Sequence, residues 1–146
     1  MNKFEFIERI SSNLDHSGST FFDHLWGTYS LLKKMGEPEY ICDAGLYHSI
    51  YGTSYYDVNV TVSREIVINL IGEVAENLVY VFCSLTDRTE SLLKDTINPI
   101  DVHIDLLKIE YANLIEQNLR PNDISNDVLA VRNKMMEMVY ENSINN

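Results

Sequence analysis

The 146-residue sequence has few basic residues. It contains 11 Lys and Arg against 22 Asp and Glu, which gives a net charge of −11. A field of this sign repels phosphate backbones and anionic lipid surfaces, and Lys33-Lys34 is the only basic pair. The charge therefore argues against nucleic acid and membrane partners. A small anion held by one or two arginines is still compatible with it.

Cysteines and long apolar runs are also scarce. Cys42 and Cys83 lie in apolar stretches, and the N-terminus alternates charged and aromatic residues, unlike a secretory leader. We expect reduced thiols in a cytoplasmic protein, with each cysteine a small buried hydrophobe rather than a nucleophile. No apolar run approaches the roughly 20 residues that span a bilayer.

The chain of 146 residues, 45% of them apolar, is long enough for one domain with a core and too short for two ordinary domains. Apolar residues recur at helical spacing in segments separated by Gly and Pro. Residues 53–62 fit either a short strand or an extended loop, and we favour the loop. The sequence predicts an all-α, compact single domain over 1–146 with six or seven helices. The predicted helical segments are 3–13, 21–35, 38–50, 63–71, 74–85, 100–118 and 128–139, with a short amphipathic turn at 90–94.

The second predicted helix carries the first histidine of interest. Thr20 and Asp23 have the spacing of a capping box at its start. His24 and Thr28 follow one another on a strip beside the broad face that we expect to be buried. That face consists of Phe22, Leu25, Trp26, Tyr29 and Leu32.

The third predicted helix starts at Pro38 and carries the second histidine. Polar residues are few around it, which predicts a buried helix. Ala44 and Gly45 lie one turn before His48, where they leave room for a neighbouring helix or a ligand.

Two histidines on neighbouring helices can hold a divalent ion if carboxylates complete the site. The nearest acids, Asp23 and Asp43, point to other sides of their helices. The later acids can join the site only through tertiary folding; they are Glu76, Asp87, Asp101 and Glu110.

The run Ala44-Gly45-Leu46-Tyr47-His48-Ser49, placed 24 residues after His24, resembles the HD-domain superfamily. That spacing looks like the HD hydrolases acting on guanosine tetraphosphate, in which a first His precedes a buried His-Asp pair and a later Asp. The segment Lys108-Ile109-Glu110-Tyr111-Ala112-Asn113-Leu114 looks like the one that carries the last Asp. The resemblance covers about residues 20–115, and the run from Gly45 to Thr53 also looks like a small uncharacterised HD-like family.

The resemblance implies His24 and His48 as ligands of a divalent metal, Mn, Fe or Zn. Ser49 stands where the Asp of the pair would be, and Asn113 where the final Asp would be. Neutral oxygens at both positions weaken a hard divalent ion, so His16 or His103 is considered as a replacement ligand. Because the oxygenase branch needs further His and Asp ligands, it ranks below hydrolysis.

Each candidate residue has a structural alternative. Either histidine can be a hydrogen-bonded core residue, and Thr28 can bond its own backbone instead of orienting an imidazole. Tyr51 and its neighbours can wall a pocket or pack as ordinary aromatics. Arg64 can anchor a phosphate or pair with one of the many carboxylates, such as Glu76.

These residues lead to three hypotheses. The first is an HD-like metal-dependent hydrolase acting on a small phosphorylated or nucleotide-like substrate, with catalytic His24, His48 and Asn113 and a pocket formed by His16, Thr28, Ser49, Tyr51, Arg64 and Glu76. The second is a degenerate HD-like fold without metal that binds a small ligand or a protein. The third is metal-free acid-base catalysis by one histidine. A homodimer is compatible with all three.

Overall fold

Helices form most of the described chain in the computed structural model, which describes residues 1–11, 15–16, 19–52, 62–118 and 125–145. The all-α class is confirmed. Eight helices are present among these residues, rather than six or seven, because the predicted turn at 90–94 belongs to a helix of its own. The helices are α1 (Lys3–Ser11), α2 (Phe21–Lys34), α3 (Glu39–Leu46), α4 (Arg64–Ile71), α5 (Glu73–Ser84), α6 (Arg88–Lys94), α7 (Ile100–Asn118) and α8 (Ser125–Ile144).

The short connection between α1 and α2 contains a two-stranded antiparallel pair. Strand β1 (Asp15–His16) pairs with β2 (Ser19–Thr20), with Asp15 opposite Thr20. The capping box predicted at Thr20 needs a side chain outside the described set. The predicted loop at 53–62 also falls almost wholly outside the described residues.

Local capping groups set several helix ends. The Asn2 Oδ1 accepts hydrogen bonds from the amides of Phe4 and Glu5, and so caps α1. Ser63 caps α4 as predicted, because its Oγ accepts from the amide of Ile66 at 3.3 Å. Gly72 separates α4 from α5 with φ +88°, a conformation that favours glycine.

Helices α2, α3 and α7 form the centre of the domain. Helix α2 packs against both α3 and α7, α5 covers α3, and α8 lies along α7. As predicted, α3 is buried, and its residues 41–46 are all inaccessible. The core side chains with almost no exposure include Leu25, Leu32, Ile41, Leu46, Phe82 and Leu107.

Side chains of α2 fill the space beside Gly45. A Cβ at this position would overlap the Leu32 side chain, and the Thr28 Cγ2 would lie 3.4 Å away. Glycine therefore lets α3 approach α2 closely, which brings the two predicted histidine-bearing segments together.

The predicted buried face of α2 is partly wrong. Leu25, Tyr29 and Leu32 are buried, but Trp26 is 44% exposed. His24 and Thr28, on the adjoining strip, are both fully buried instead. These polar side chains can face the core because they have hydrogen-bond partners, which an apolar pattern alone does not reveal. His24 bonds Glu116 of α7, and Thr28 bonds the carbonyl of His24.

None of the helices among the described residues has the length and apolarity that crossing a membrane requires.

Candidate functional site: a buried histidine pair

His24 lies in the first turns of α2 and is completely buried. Its ring packs parallel to that of Phe21, with centroids 6.4 Å apart. Apolar packing of this kind fixes the imidazole plane, and the two ring nitrogens take their orientation from it.

His48 lies just beyond α3 rather than inside a helix that runs to residue 50. Helix α3 ends at Leu46, and residues 47–51 continue in tight turns. The Nδ1–H of His48 donates to the carbonyl of Gly45 at 2.6 Å. This side chain therefore takes an acceptor that a continuing helix would offer to the amide of Ser49, which explains the earlier end.

The two rings face each other in the protein interior. The Nε2 of His24 lies 3.3 Å from the Nε2 of His48, and the ring planes are nearly perpendicular at 79°. His48 is 1% exposed, and its ring meets that of Phe82 edge to face at 5.6 Å. The predicted convergence of the two histidines is therefore observed.

A carboxylate bonds the ring nitrogen of His24 that faces away from His48. The Nδ1–H donates to Glu116 Oε1 at 2.6 Å, and the Glu116 side chain is only 9% exposed. Gly27, one turn after His24, leaves space for this contact. A Cβ there would lie 2.8 Å from Glu116 Cγ and 2.9 Å from its Oε2.

These contacts determine which nitrogens carry protons. A carbonyl oxygen and a carboxylate only accept, so the Nδ1 atoms of His24 and His48 are the donors. In neutral imidazoles both Nε2 atoms then carry lone pairs, and these point at each other across 3.3 Å. Two lone pairs at this distance repel each other. A cation shared by the two Nε2 atoms, either a proton or a metal ion, would replace this repulsion with attraction.

The pair fits part of a metal site. Two bonds of about 2.0–2.1 Å at a tetrahedral angle place their nitrogens roughly 3.3–3.4 Å apart, which matches the observed separation. A carboxylate behind a ligating imidazole is the usual outer partner of such a ligand, and Glu116 occupies that position. Within the described ranges, no set of three or more His, Cys, Asp or Glu side chains is placed to hold a metal.

Ser49 and Asn113, the neutral residues at positions where the resemblance implies acids, are both buried. The Ser49 Oγ has no hydrogen-bond partner among the described residues. Asn113 donates to Glu110 Oε1 at 2.9 Å and accepts from Gln117 at 3.3 Å, so its amide is engaged within α7. Glu116, one turn further along α7, hydrogen-bonds to His24 of the pair.

The other histidines differ in role. His16 lies in β1, and its side chain is outside the described set. His103 is buried, with the amide of Ile97 donating to its Nδ1 at 3.2 Å and its Nε2–H donating to the Leu92 carbonyl at 2.8 Å. Because backbone groups use both nitrogens, His103 is a structural residue and not a replacement ligand.

The Thr28 hydroxyl donates to the carbonyl of His24 at 3.0 Å, which is the backbone alternative for this residue. It does not orient the imidazole directly through that bond. This hydrogen bond lies within one turn of α2, and the Thr28 side chain is fully buried.

Three further predicted pocket residues form a network between α4, α5 and the end of the α3 turn. Arg64 donates through Nε and Nη2 to both oxygens of Glu76, at 2.8 and 2.7 Å. The Tyr51 hydroxyl also donates to Glu76, at 2.7 Å. Burial alone would raise the pKa of Glu76, but these hydrogen bonds and the Arg64 charge lower it overall.

A buried arginine, Arg88, lies behind the pair. The Arg88 guanidinium stacks 4.1 Å from the centroid of Phe82, the ring that contacts His48. Its Nε donates to Glu110 at 3.3 Å. Arg88 thus pairs with a buried glutamate, as the phosphate candidate Arg64 does.

The cysteines have the environment of buried thiols. Cys83 Sγ donates to the His48 carbonyl at 3.0 Å, and burial raises its pKa to about 11. Burial also raises the pKa of Cys42 to about 11. Both remain protonated near neutral pH, which does not favour a nucleophilic role.

Glu116 is the site residue that sequence reasoning missed. It lies four residues after Ala112 and seven after Ile109, both of which are fully buried. A charged residue on a buried stripe requires a partner. The position of Glu116 on a buried stripe, together with the small Gly27 near His24, is the sequence signal that could have indicated this contact.

A model of a family described as a domain of unknown function, DUF6817, matches residues 6–88, more than half of the chain. The chain belongs to the DUF6817 family. The DUF6817 match runs from within α1 to the first residue of α6. It includes both histidines and ends before α7, the helix that supplies Glu116. No curated protein and no solved structure matches the chain.

Proposed function

We propose that this chain is an HD-like metal-dependent hydrolase that acts on a small phosphorylated or nucleotide-like molecule. The observation that carries the proposal is the 3.3 Å approach of two acceptor nitrogens, with a carboxylate behind one of them. His24 and His48 would hold the ion, with Mn, Fe and Zn as the candidate metals. A cytoplasmic location fits this role, since both cysteines are free.

The chain's own groups prepare the two ligands in different ways. Glu116 fixes the tautomer of His24 and raises the basicity of its Nε2. The Gly45 carbonyl fixes the tautomer of His48 by the same geometry, with a weaker acceptor. When bound, a divalent ion supplies a water activated for attack on a phosphoester. The buried Ser49 hydroxyl next to His48 is available to hydrogen-bond the substrate or that water.

Metal content and metal-induced stabilisation test the proposal. Protein purified without chelator should contain stoichiometric metal, measured by elemental analysis. In the chelated protein, added ion at one hundred times its dissociation constant should stabilise the fold by about 2.7 kcal/mol. That corresponds to a rise in melting temperature of roughly 5–11 °C.

Histidine variants make the test specific. His24→Ala and His48→Ala should each abolish the rise, while His103→Ala should lower stability and retain the rise, because His103 bonds only backbone groups. Metal-loaded wild type should hydrolyse phosphoester substrates that His48→Ala leaves intact. Absence of bound metal in wild type, with His48→Ala unaltered in melting behaviour, would overturn the proposal.

A degenerate HD-like fold without metal, binding a small ligand or a protein, is the second candidate. It is favoured by the neutral Ser49 and Asn113 at positions where the resemblance expects acids. In it a proton between the two Nε2 atoms replaces the metal, and Glu116 balances the added charge. This candidate predicts no metal-dependent rise in melting temperature.

The third candidate, metal-free acid-base catalysis, uses the same proton. Transfer between His24 and His48 would let one imidazole act as base while Glu116 stabilises the other in its charged form. It predicts that His24→Ala abolishes turnover in protein from which all metal has been removed. The oligomeric state, including a homodimer, is measured in the same preparations by sedimentation.

A further inference from the structure

The last helix, α8, has apolar side chains on two faces. One face packs against α6 and α7 and includes the buried Val131 and Met138. On the outer face, five apolar side chains are between 44% and 66% exposed. They are Leu129, Met136, Val139, Tyr140 and Ile144. Contiguous exposed apolar residues of this kind favour contact with a second surface.

The residues along the middle of the outer face follow a heptad pattern. Two series at intervals of seven alternate there, and all of their members are exposed. One series is Leu129, Met136 and Ser143, and the other is Asn126, Asn133 and Tyr140. We call these six residues the α8 seam. They have the spacing of positions d and a, at which two parallel helices meet in a coiled coil.

The charged residues beside the seam complement a second copy of the same helix. Arg132 and Glu137 are exposed and have heptad positions g and e. In a parallel pair, position g of one helix faces position e of the other helix five residues further along the chain. Arg132 of each copy therefore faces Glu137 of the second copy, and two-fold symmetry produces this ion pair twice.

We propose that two copies of this chain associate in parallel through the α8 seam. Asn133 lies at an a position in the middle of the seam, where a polar residue fixes the register of two strands. The seam is short for an independent coiled coil. However, α6 and α7 already hold α8 in helical form, so association does not have to fold the helix.

The area of the outer face is sufficient for a weak dimer. The five exposed apolar side chains and the flanking charged residues correspond to on the order of 1,000 Å² over two copies, the lower limit for a specific interface. The face lies on α8, whereas the histidine pair lies on α2 and after α3. The proposed dimer is therefore independent of the proposed hydrolase function.

Sedimentation equilibrium of the full chain tests the association. The apparent mass should rise from 16.8 kDa toward twice that value as the protein concentration increases from about 1 µM to 1 mM, the range expected for a small interface. A wild type that stays monomeric over this range would overturn the proposal. Sedimentation of that monomer with phosphatidylglycerol vesicles would assign the face to a lipid surface instead.

Charge reversal tests the ion pairs. Glu137→Arg places like charges opposite Arg132 and should raise the dissociation constant of the dimer at least about tenfold. Adding Arg132→Glu restores opposite charges and should recover wild-type association, which also shows that the variant chain folds. Glu65→Arg makes the same change in charge at an exposed position of α4 and should not weaken the dimer. Failure of the double variant to recover would overturn the parallel register.

Cysteine crosslinking tests the orientation of the two helices. A parallel seam places the two copies of position 129 opposite each other, so Leu129→Cys should form a disulfide-linked dimer with oxidised glutathione. Val74→Cys, at a 63% exposed position of α5, is the control and should stay uncrosslinked. Equal crosslinking of both variants, or none at position 129, would overturn the parallel arrangement.

Discussion

In the proposed metal site Glu116 supports His24, because its 2.6 Å contact to Nδ1 leaves Nε2 as an acceptor. Glu116→Gln removes the charge while keeping the shape. We expect metal affinity to fall about 10–100-fold, as found for outer partners of ligating histidines. Competition with a chromophoric chelator measures it.

The matched control is Glu110→Gln, a buried acid of the same helix that bonds Asn113 and Thr89 instead of a histidine. It should destabilise the fold and keep metal affinity within about twofold. A Glu116→Gln protein with wild-type affinity would contradict the role given to this carboxylate.

Gly27 provides a second prediction at the scale of one residue. Alanine in a helix normally stabilises by about 1 kcal/mol relative to glycine. Here the added Cβ would lie 2.8 Å from Glu116 Cγ, so we expect Gly27→Ala to lower the free energy of unfolding by roughly 1–3 kcal/mol. Urea unfolding gives the value.

The double variant with Glu116→Ala isolates the cause. Without the Glu116 side chain, Gly27→Ala should become stabilising, a reversal of sign that a general packing defect at Gly27 would not produce. If the alanine destabilises both backgrounds equally, the space at Gly27 serves something other than Glu116.

Single residues were predictable where their role depends on local pattern. His24 and His48 were found from spacing, and they do converge. Glu116 was missed because its contact joins residues 92 apart, and no local pattern encodes such a pairing. Trp26 was placed in the core on apolarity alone, whereas the buried strip of α2 is partly polar.

Among the elements, α4 and α5 are held together by Arg64 and Glu76 across the bend at Gly72. The lowered pKa of Glu76 means that its ionised form is favoured in the folded state. Its contribution is therefore complete above the ordinary value of 4.5 and disappears as pH falls through the lower folded value.

Glu76→Gln should lower the free energy of unfolding by roughly 1–3 kcal/mol at pH 7, because charged hydrogen bonds to Arg64 and Tyr51 are weakened. The gap to wild type should narrow below about pH 4.5. Thermal unfolding at several pH values between 7 and 3 measures the difference.

Glu90→Gln is the control for this prediction, since Glu90 also has a lowered pKa but pairs with Lys94 at the surface. We expect it to change the melting temperature little at any pH. A pH-independent gap for Glu76→Gln would mean that packing, not ionisation, connects the two helices.

Helix boundaries were predictable where a local residue, such as a capping serine or a glycine, begins or ends the helix. Ser63 and Gly72 bound α4 as expected, through a cap and a left-handed backbone. The end of α3 was not predictable, because the side chain of His48 takes the Gly45 carbonyl. The resulting turn is what aims His48 at His24.

For the whole molecule, the net charge of −11 is the dominant electrostatic property. Self-repulsion opposes the compact state, and salt screens it. We expect the urea midpoint of unfolding to rise between low ionic strength and about 0.5 M NaCl. Native ion pairs such as Lys108–Glu37, at 2.9 Å, act in the opposite direction, because salt weakens their attraction.

Neutralising Glu137 and Glu141 together as glutamines should reduce that salt dependence, since both lie exposed on α8. A midpoint that falls with salt in wild type would show that ion pairs outweigh the excess charge. Urea is the suitable denaturant, because guanidinium would itself screen the charges.

The hydrogen bond between His24 and Glu116 also has a consequence for the order of folding. It closes a loop of 92 residues, so it can form only when α7 docks on α2. A partly folded state built from α1 to α6 would contain both histidines, and the whole DUF6817 match, without their carboxylate. The complete arrangement of His24, His48 and Glu116 therefore requires the docking of α7 on α2.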